Sequence, residues 1–407
     1  MQAEQSYNPR NFLGGLWHGA FLALGMALTQ PTTVISSFVA DLTGSTVWVG
    51  GLSTVLTVSA VLPQIFVARW LEPKPLKMPY LLLGIYLRVF SWGVLAWMIF
   101  KLGAEHPQAI AWSLIGMLAI FYAAGGLANI PYSDIIGKVI PPTRRGAFFG
   151  GKQALAGPLA VVSALAAKKV LAEWDYPDNY ALLFGLAAVA LGIASFGFLV
   201  MREPAGEGAV RKPLPWRSYL VQLRGGSQRL RLLVVVELLT GFSLMVLPFY
   251  VVYARQKLDA PAEAVGWFLL AQVIGGVLAN LIWARLVDRL GSRTMVFWCA
   301  STSTLTPILA IILAPLGWQA MMVVFFLAGA AFDGRKVGFQ SSLLELAPPP
   351  ERPTYFALNE VLILPLAFLS LGAGIFLEYF SYTSLFILAA IFIGGGALMA
   401  WRWKGIA

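Results

Sequence analysis

The sequence predicts an all-α membrane protein in which twelve transmembrane helices form two pseudo-symmetric six-helix bundles. Three observations carry this: composition, the spacing of apolar runs, and an internal repeat. Of 407 residues, 58% are hydrophobic and 12% charged, with a mean hydropathy of +0.75, whereas a soluble globular chain has about a quarter of its residues charged. Apolar runs of about 20 residues, the length that spans a hydrocarbon core as a helix, recur from end to end. The segment joining the second and third runs returns, in register, between the eighth and ninth.

Breaks at charge and Pro/Gly clusters place the first six helices at 12–38, 46–70, 79–101, 109–136, 147–172 and 180–201. The first run greatly exceeds the apolar stretch of a cleavable leader and reads as a retained helix. Within it, Gly15 and Gly19 suit a close helix contact. Gln30-Pro31-Thr32 interrupts the backbone ladder, which membrane helices tolerate where they line a cavity or lie inside protein. The second six follow at 229–253, 263–286, 294–315, 318–343, 356–378 and 382–402. The domains are therefore a bundle over 1–201, a basic cytoplasmic linker over 202–228 and a bundle over 229–407.

Basic residues set the orientation. Arg69, Lys74, Lys77, Lys138, Arg144, Arg145, the linker arginines, Arg285, Arg289, Arg293 and Arg402 fall on one side. Only Lys101, Lys168, Lys169, Arg255 and Lys257 fall on the other. Positive charge accumulates inside, so both termini are expected in the cytoplasm, of a bacterial plasma membrane. Trp17, Trp48, Trp267, Trp318 and Trp401 lie near helix ends as interfacial anchors.

Composition also excludes classes. One cysteine, Cys299, rules out an internal disulfide, and His18 and His106 add no zinc spacing; no cofactor or metal is expected. His18, early in the first helix, reads as a packing residue near the membrane surface. The net charge of +10 resides in short loops, which argues against a nucleic-acid partner. Gly146-Ala147-Phe148-Phe149-Gly150-Gly151-Lys152-Gln153 misses the phosphate-binding loop at its last position, where magnesium needs Ser or Thr, and it opens an apolar helix instead of following a strand. No hydrolase or zinc-protease motif occurs, so the chain is not read as an enzyme.

Ala68-Arg69-Trp70-Leu71-Glu72-Pro73-Lys74-Pro75-Leu76-Lys77 and Ala284-Arg285-Leu286-Val287-Asp288-Arg289-Leu290-Gly291-Ser292-Arg293 share Ala, Arg, an acid and a base in register. Pro142-Thr143-Arg144 to Phe148 likewise answers to Pro350-Glu351-Arg352 to Phe356. Six-helix halves repeated in parallel are a transporter plan with substrate bound between them near the midplane. The run Asp288 to Arg293 resembles the loop signature of the major facilitator superfamily, and the six-linker-six plan is similar to that superfamily over nearly the whole chain. The signature's leading glycine is Ala284 here, and Pro73 and Pro75 replace residues of the first copy. The fourth helix lacks the arginine many proton-coupled members carry, and Gly157-Pro158 resembles only the core of the antiporter motif.

The resemblance implies a secondary transporter working by alternating access, driven by a proton or ion gradient, with the lipid bilayer, a small-molecule substrate and the coupling ion as partners, and monomeric. Glu72, Lys77, Asp134, Arg144, Asp288, Arg289, Arg293, Glu345 and Arg352, at helix ends, are then expected to act as conformational latches, made in one state and released in the other.

Charge inside an apolar run is costly and marks function by default. Arg88 lies mid-helix three, Glu237 in the inner half of helix seven, Asp333, Arg335 and Lys336 in helix ten, and Glu360 just inside helix eleven. Asp333 and Lys336, three apart, are placed to compensate one another. Arg88, Arg335 and Lys336, with Gln30, Asn129 and Asn280, then form a candidate lining for an anionic solute. In the rival arrangement Glu237 and Asp333 take and release a proton, which suits export of hydrophobic or cationic compounds. A receptor or assembly factor on the same fold would bind without flux.

Overall fold

The structure, a computed structural model, describes residues 8–71, 74–204, 228–347 and 352–403, and all regular elements among them are helical. In the first half these are α1 Pro9–Thr43, α2 Thr46–Leu71, α3 Met78–Leu102, α4 Pro107–Val139, α5 Pro142–Glu173 and α6 Asp178–Val200. The second half holds α7 Gln228–Lys257, α8 Ala264–Leu290, α9 Ser292–Leu313, α10 Met321–Leu346, α11 over 352–379 and α12 Tyr382–Trp403. Eleven helices among the described residues are long and apolar enough to cross a membrane. α10 has the length, 26 residues, but its charges set it apart from that group. Glu72, most of the linker and the side chain of Arg352 lie outside the described residues.

Local chemistry explains the boundaries. Asn8 caps α1, its side chain accepting from the Arg10 amide at 3.0 Å, with Pro9 at the first helical position. Gly291 turns the chain between α8 and α9 in a single residue at φ 81°, a conformation that strains any side-chain-bearing residue. That is the glycine of the loop signature. As Gln30-Pro31 predicts, α1 is interrupted: an α-helix to Leu28 gives way to a π-helical turn over Pro31–Ile35 before Ser36–Thr43.

Contacts divide the chain into two compact units, Met1–Thr43 with Val55–Arg211, and Gly44–Thr54 with Lys212–Ala407. In the first, α1 packs on α5 and α6, and α3 on α4 and α6. Small residues permit the approach: a Cβ on Gly84 would lie 2.9 Å from the Ala124 carbonyl, and one on Gly15 would strike the Phe148 ring. Lipid tails are as apolar as leucine, so such helices associate through close packing and polar contacts, not hydrophobic exclusion. Trp92 stacks on Phe184 at 4.8 Å in the same core. His18 is buried there, its Nδ1 3.2 Å from the Ala194 carbonyl and its ring 4.4 Å from that of Phe198.

In the second unit α8 lies along α10, and α9 packs on α10 and α12, the counterpart of α3 on α4 and α6. Gly275 faces the Phe326 carbonyl and Gly329 the Gln272 carbonyl, so α8 and α10 meet backbone to backbone. Residues 44–54 join this unit through Thr46, which donates to the Gly374 carbonyl at 2.9 Å, and Thr54, which donates to the Ala367 carbonyl at 2.8 Å.

Candidate substrate and coupling sites

Arg88 sits at the middle of α3. Its guanidinium lies over the Phe121 ring, 4.3 Å from the centroid, and Nη2 reaches the Met26 sulfur at 3.0 Å. Nε is buried without a hydrogen-bond partner, and no described carboxylate pairs with this side chain. A ring face and a thioether are soft partners for a cation. They hold the charge in place without neutralising it.

Arg335 is held quite differently. It is buried on α10 at 9% exposure. Nη2 donates to the Glu237 carbonyl at 2.7 Å, Nη1 donates to the Thr240 hydroxyl, and the guanidinium lies over Phe339. The Glu237 carboxylate stands 4.0 Å away and accepts from Asn359 Nδ2 at 2.9 Å. α7 is broken here, one helix closing at Thr240 and the next opening at Phe242. The Glu237 carbonyl at the break accepts from the Gly241 amide at 3.0 Å and from Arg335 as well. Helices α7, α10 and α11 thus converge on one compensated, hydrogen-bonded charge pair.

Asp333, two residues earlier, accepts from Asn280 on α8 at 3.1 Å. No ion pair joins it to Lys336 among the described residues, and Lys336 is exposed. Gln30 Nε2 reaches only Thr32, at 3.5 Å, and Asn129 is exposed on α4. An open groove of about 370 Å³ against α9 and α12 is walled by Ile308, Ile311, Ile312, Ile387, Ala390 and Ile391. It offers a polar solute no hydrogen bond.

Two polar clusters lie at helix ends. In the first unit Asp134 bridges Lys77 at 3.2 Å and Lys138 at 2.7 Å, and Lys138 also bridges Glu203 at 3.0 Å. Glu203 accepts from the amides of Lys77 and Met78, at 2.8 and 2.7 Å, so a carboxylate caps the start of α3 where the helix dipole favours negative charge. In the second unit Ser292, the first residue of α9, donates to Glu345 at 2.8 Å and accepts from Ser342 at 3.0 Å. Of the residues expected to latch, Lys77 and Asp134 meet each other, and Glu345 meets Ser292. Asp288, Arg289 and Arg144 are exposed and Arg293 is half-buried.

Sequence reasoning overlooked Glu203 and Lys138, Thr240 and Asn359, and the Met26 and Phe121 seat of Arg88. Glu203 reads only as one more charge after the sixth helix and Lys138 only as a charge that sets orientation; the others carry no signature in an apolar helix.

Residues 233–406 match the family profile of the Major Facilitator Superfamily. The bacterial homologue of the iron transporter ferroportin in its inward-facing state superposes with a TM-score of 0.72 at 13% identity, covering 98% of this chain and 99% of that one. For the D-xylose–proton symporter the values are 0.73 and 14%, with 98% of both chains, and for the nucleoside transporter NupG 0.68 and 13%, with 97% and 98%. The second half of the chain is thus similar in sequence to the major facilitator superfamily, and the chain shares the fold of these solved structures over nearly its whole length. Uncharacterized proteins Rv2209 of Mycobacterium tuberculosis and Mb2232 of Mycobacterium bovis are 25% identical over 271 residues, 62% of this chain. The chain spans about half, 52%, of the length of these relatives.

Proposed function

We propose that this protein is a secondary active transporter that carries a small anionic organic solute by alternating access, coupled to a proton or ion gradient, from a bacterial plasma membrane with both termini inside. One observation carries the anionic reading: Arg88 holds a charge mid-helix with a sulfur and a ring face for company and no described carboxylate. A cation at the centre of a membrane costs about 2.5–3.5 kcal/mol on insertion scales, and a carboxylate or phosphate on the solute offsets that cost while bound. Arg335 contributes less to solute binding, because Glu237 already compensates it. The pair they form is the coupling element, since protonation of Glu237 removes the negative partner of a buried arginine. The helix-end clusters at Asp134 and Glu345 act as latches, Glu203 and Lys138 included.

Thermal shift of the detergent-purified protein against carboxylates, phosphate esters, neutral sugars and amines tests the reading. A ligand at 100 times its Kd adds about 2.7 kcal/mol. Stabilisation by a carboxylate or phosphate ester, lost in Arg88→Ala, is expected. Amines stabilising the protein through Asp333, with Arg88→Ala unaffected, would shift the reading to export of cationic compounds; Asp333, held only by Asn280, is the group that favours it.

A further inference from the structure

Lys152, in the run that misses the phosphate-binding loop, lies about 15 Å along α5 from its start, inside an apolar span. Its stem crosses α1 at Gly19, where a Cβ would come 2.5 Å from the Lys152 Cγ. Beyond that crossing Nζ donates to the Tyr132 hydroxyl on α4 at 2.9 Å and stands 4.9 Å from the centroid of that ring. Three helices of the first unit thus fix one ammonium. No described carboxylate pairs with it. Asp134, two residues further along α4 and so turned to another face, is committed to Lys77 and Lys138.

Donors here outnumber acceptors. Of the three N–H groups of its ammonium, Lys152 spends one on Tyr132. The phenol oxygen accepts that bond, and its own proton meets no acceptor among the described residues. Both side chains are half-buried. An ammonium and a phenol O–H side by side, without an anion, are the chemistry that receives a carboxylate.

Arg88 is the other cation of this unit held without a carboxylate, and two helices give its level relative to Lys152. On α1, Arg88 meets Met26 and Lys152 meets Gly19. On α4, a Cβ on Gly125 would lie 3.9 Å from Arg88 Nε, and Lys152 meets Tyr132. Each pair is seven positions apart, so the two cations differ in level by about 10 Å along the helices. Gly125, Asn129 and Tyr132 follow the i, i+4, i+7 spacing of one helix face, and Asn129, between the two levels, is exposed. The face that joins the cations is therefore open. Both charges bear on His18 of α1, which places two unneutralised like charges in one apolar bundle.

We infer that Arg88 and the pair of Lys152 with Tyr132 are the two ends of one elongated anion site, and that the solute is a dicarboxylate of about four or five carbons. Such a chain, with a hydrogen bond of about 3 Å at each end, bridges about 10 Å. The inference rests on the reading of Arg88 as the anion-binding residue and adds the second charge. A monocarboxylate leaves Lys152 unneutralised, so the site discriminates by the number of charges.

Isothermal titration calorimetry of the purified full chain with succinate, glutarate and butyrate tests the site. The wild type should bind the dicarboxylates about tenfold or more tighter than butyrate, the scale of one charge-assisted hydrogen bond. Lys152→Met keeps an apolar stem, and should bring the dicarboxylates down to the affinity of butyrate while leaving butyrate unchanged. Tyr132→Phe removes one donor and little volume, and should weaken the dicarboxylates alone; it keeps the test decisive where Lys152→Met fails to fold. Arg88→Ala should abolish binding of all three. Equal affinities for the three in the wild type, or dicarboxylate binding untouched by both Lys152→Met and Tyr132→Phe, overturn the second charge and leave Arg88 as the anion-binding residue. Carboxylate binding that survives Arg88→Ala, or none in the wild type, overturns the anionic reading, and the elongated site with it.

Discussion

Arg88 and Arg335 are both arginines in apolar helices, yet their surroundings give them opposite roles. Arg335 is tied to Glu237 and Thr240 on a second helix, so its removal strands a buried carboxylate. Arg335→Ala is expected to destabilise the protein by about 3–5 kcal/mol, and Arg335→Met with Glu237→Gln should recover most of the loss, as equilibrium unfolding of the four variants of the cycle would show. Arg88→Ala strands nothing that is charged, and should cost little stability while abolishing anion binding. Unfolding data placing the two single variants level would contradict this division. The charges themselves were conspicuous in the sequence, since each interrupts an apolar run. Their partners were not: Thr240 and Asn359 are uncharged polar residues of a kind membrane helices contain throughout, and only the fold puts them beside Arg335.

The helices were legible from run length and from breakers such as Gly291, and even the interruption of α1 followed from Gln30-Pro31. The bend in α7 did not, because it arises from contact between helices. Leu366 fills the space a Cβ on Gly241 would need, in the stretch where α11 tightens to a 3₁₀ turn over Leu364–Phe368. Two glycines separate packing from propensity. Gly329 meets the Gln272 backbone, whereas Gly372 has nothing within 4 Å of an added Cβ. Gly329→Ala should therefore destabilise by about 1–3 kcal/mol through overpacking. Gly372→Ala, in a helix interior with room, should be neutral or stabilise by up to about 1 kcal/mol. Melting curves in detergent decide between this and a uniform effect of lost glycine. Glu203 belongs to the same scale: it caps α3 from beyond the end of α6, a pairing invisible while it reads as a linker charge. Glu203→Gln keeps the shape and removes the charge, and because the Glu203 side chain is only 3% exposed and accepts from two amides and Lys138, it should cost about 1.5–3 kcal/mol.

At the scale of the whole molecule, the repeat predicts that corresponding ends of the two halves lie on the same side of the membrane, and the basic residues predict which side. The free thiol makes this testable. Cys299 is buried and is the only cysteine of the chain, so Cys299→Ser gives a background without thiols. On it, Glu105→Cys places a thiol in the exposed connection between α3 and α4, and Arg289→Cys places one at the exposed end of α8. An odd number of crossings separates these positions, so they must label from opposite sides. A membrane-impermeant maleimide added to intact cells should modify Glu105→Cys, and should reach Arg289→Cys only after lysis. Reversed labelling would turn the protein over and set positive charge outside, against the bias that orients membrane helices. Labelling of both from one side would break the even alternation of helices, and the two-half repeat could no longer place Asp134 and Glu345 as counterparts.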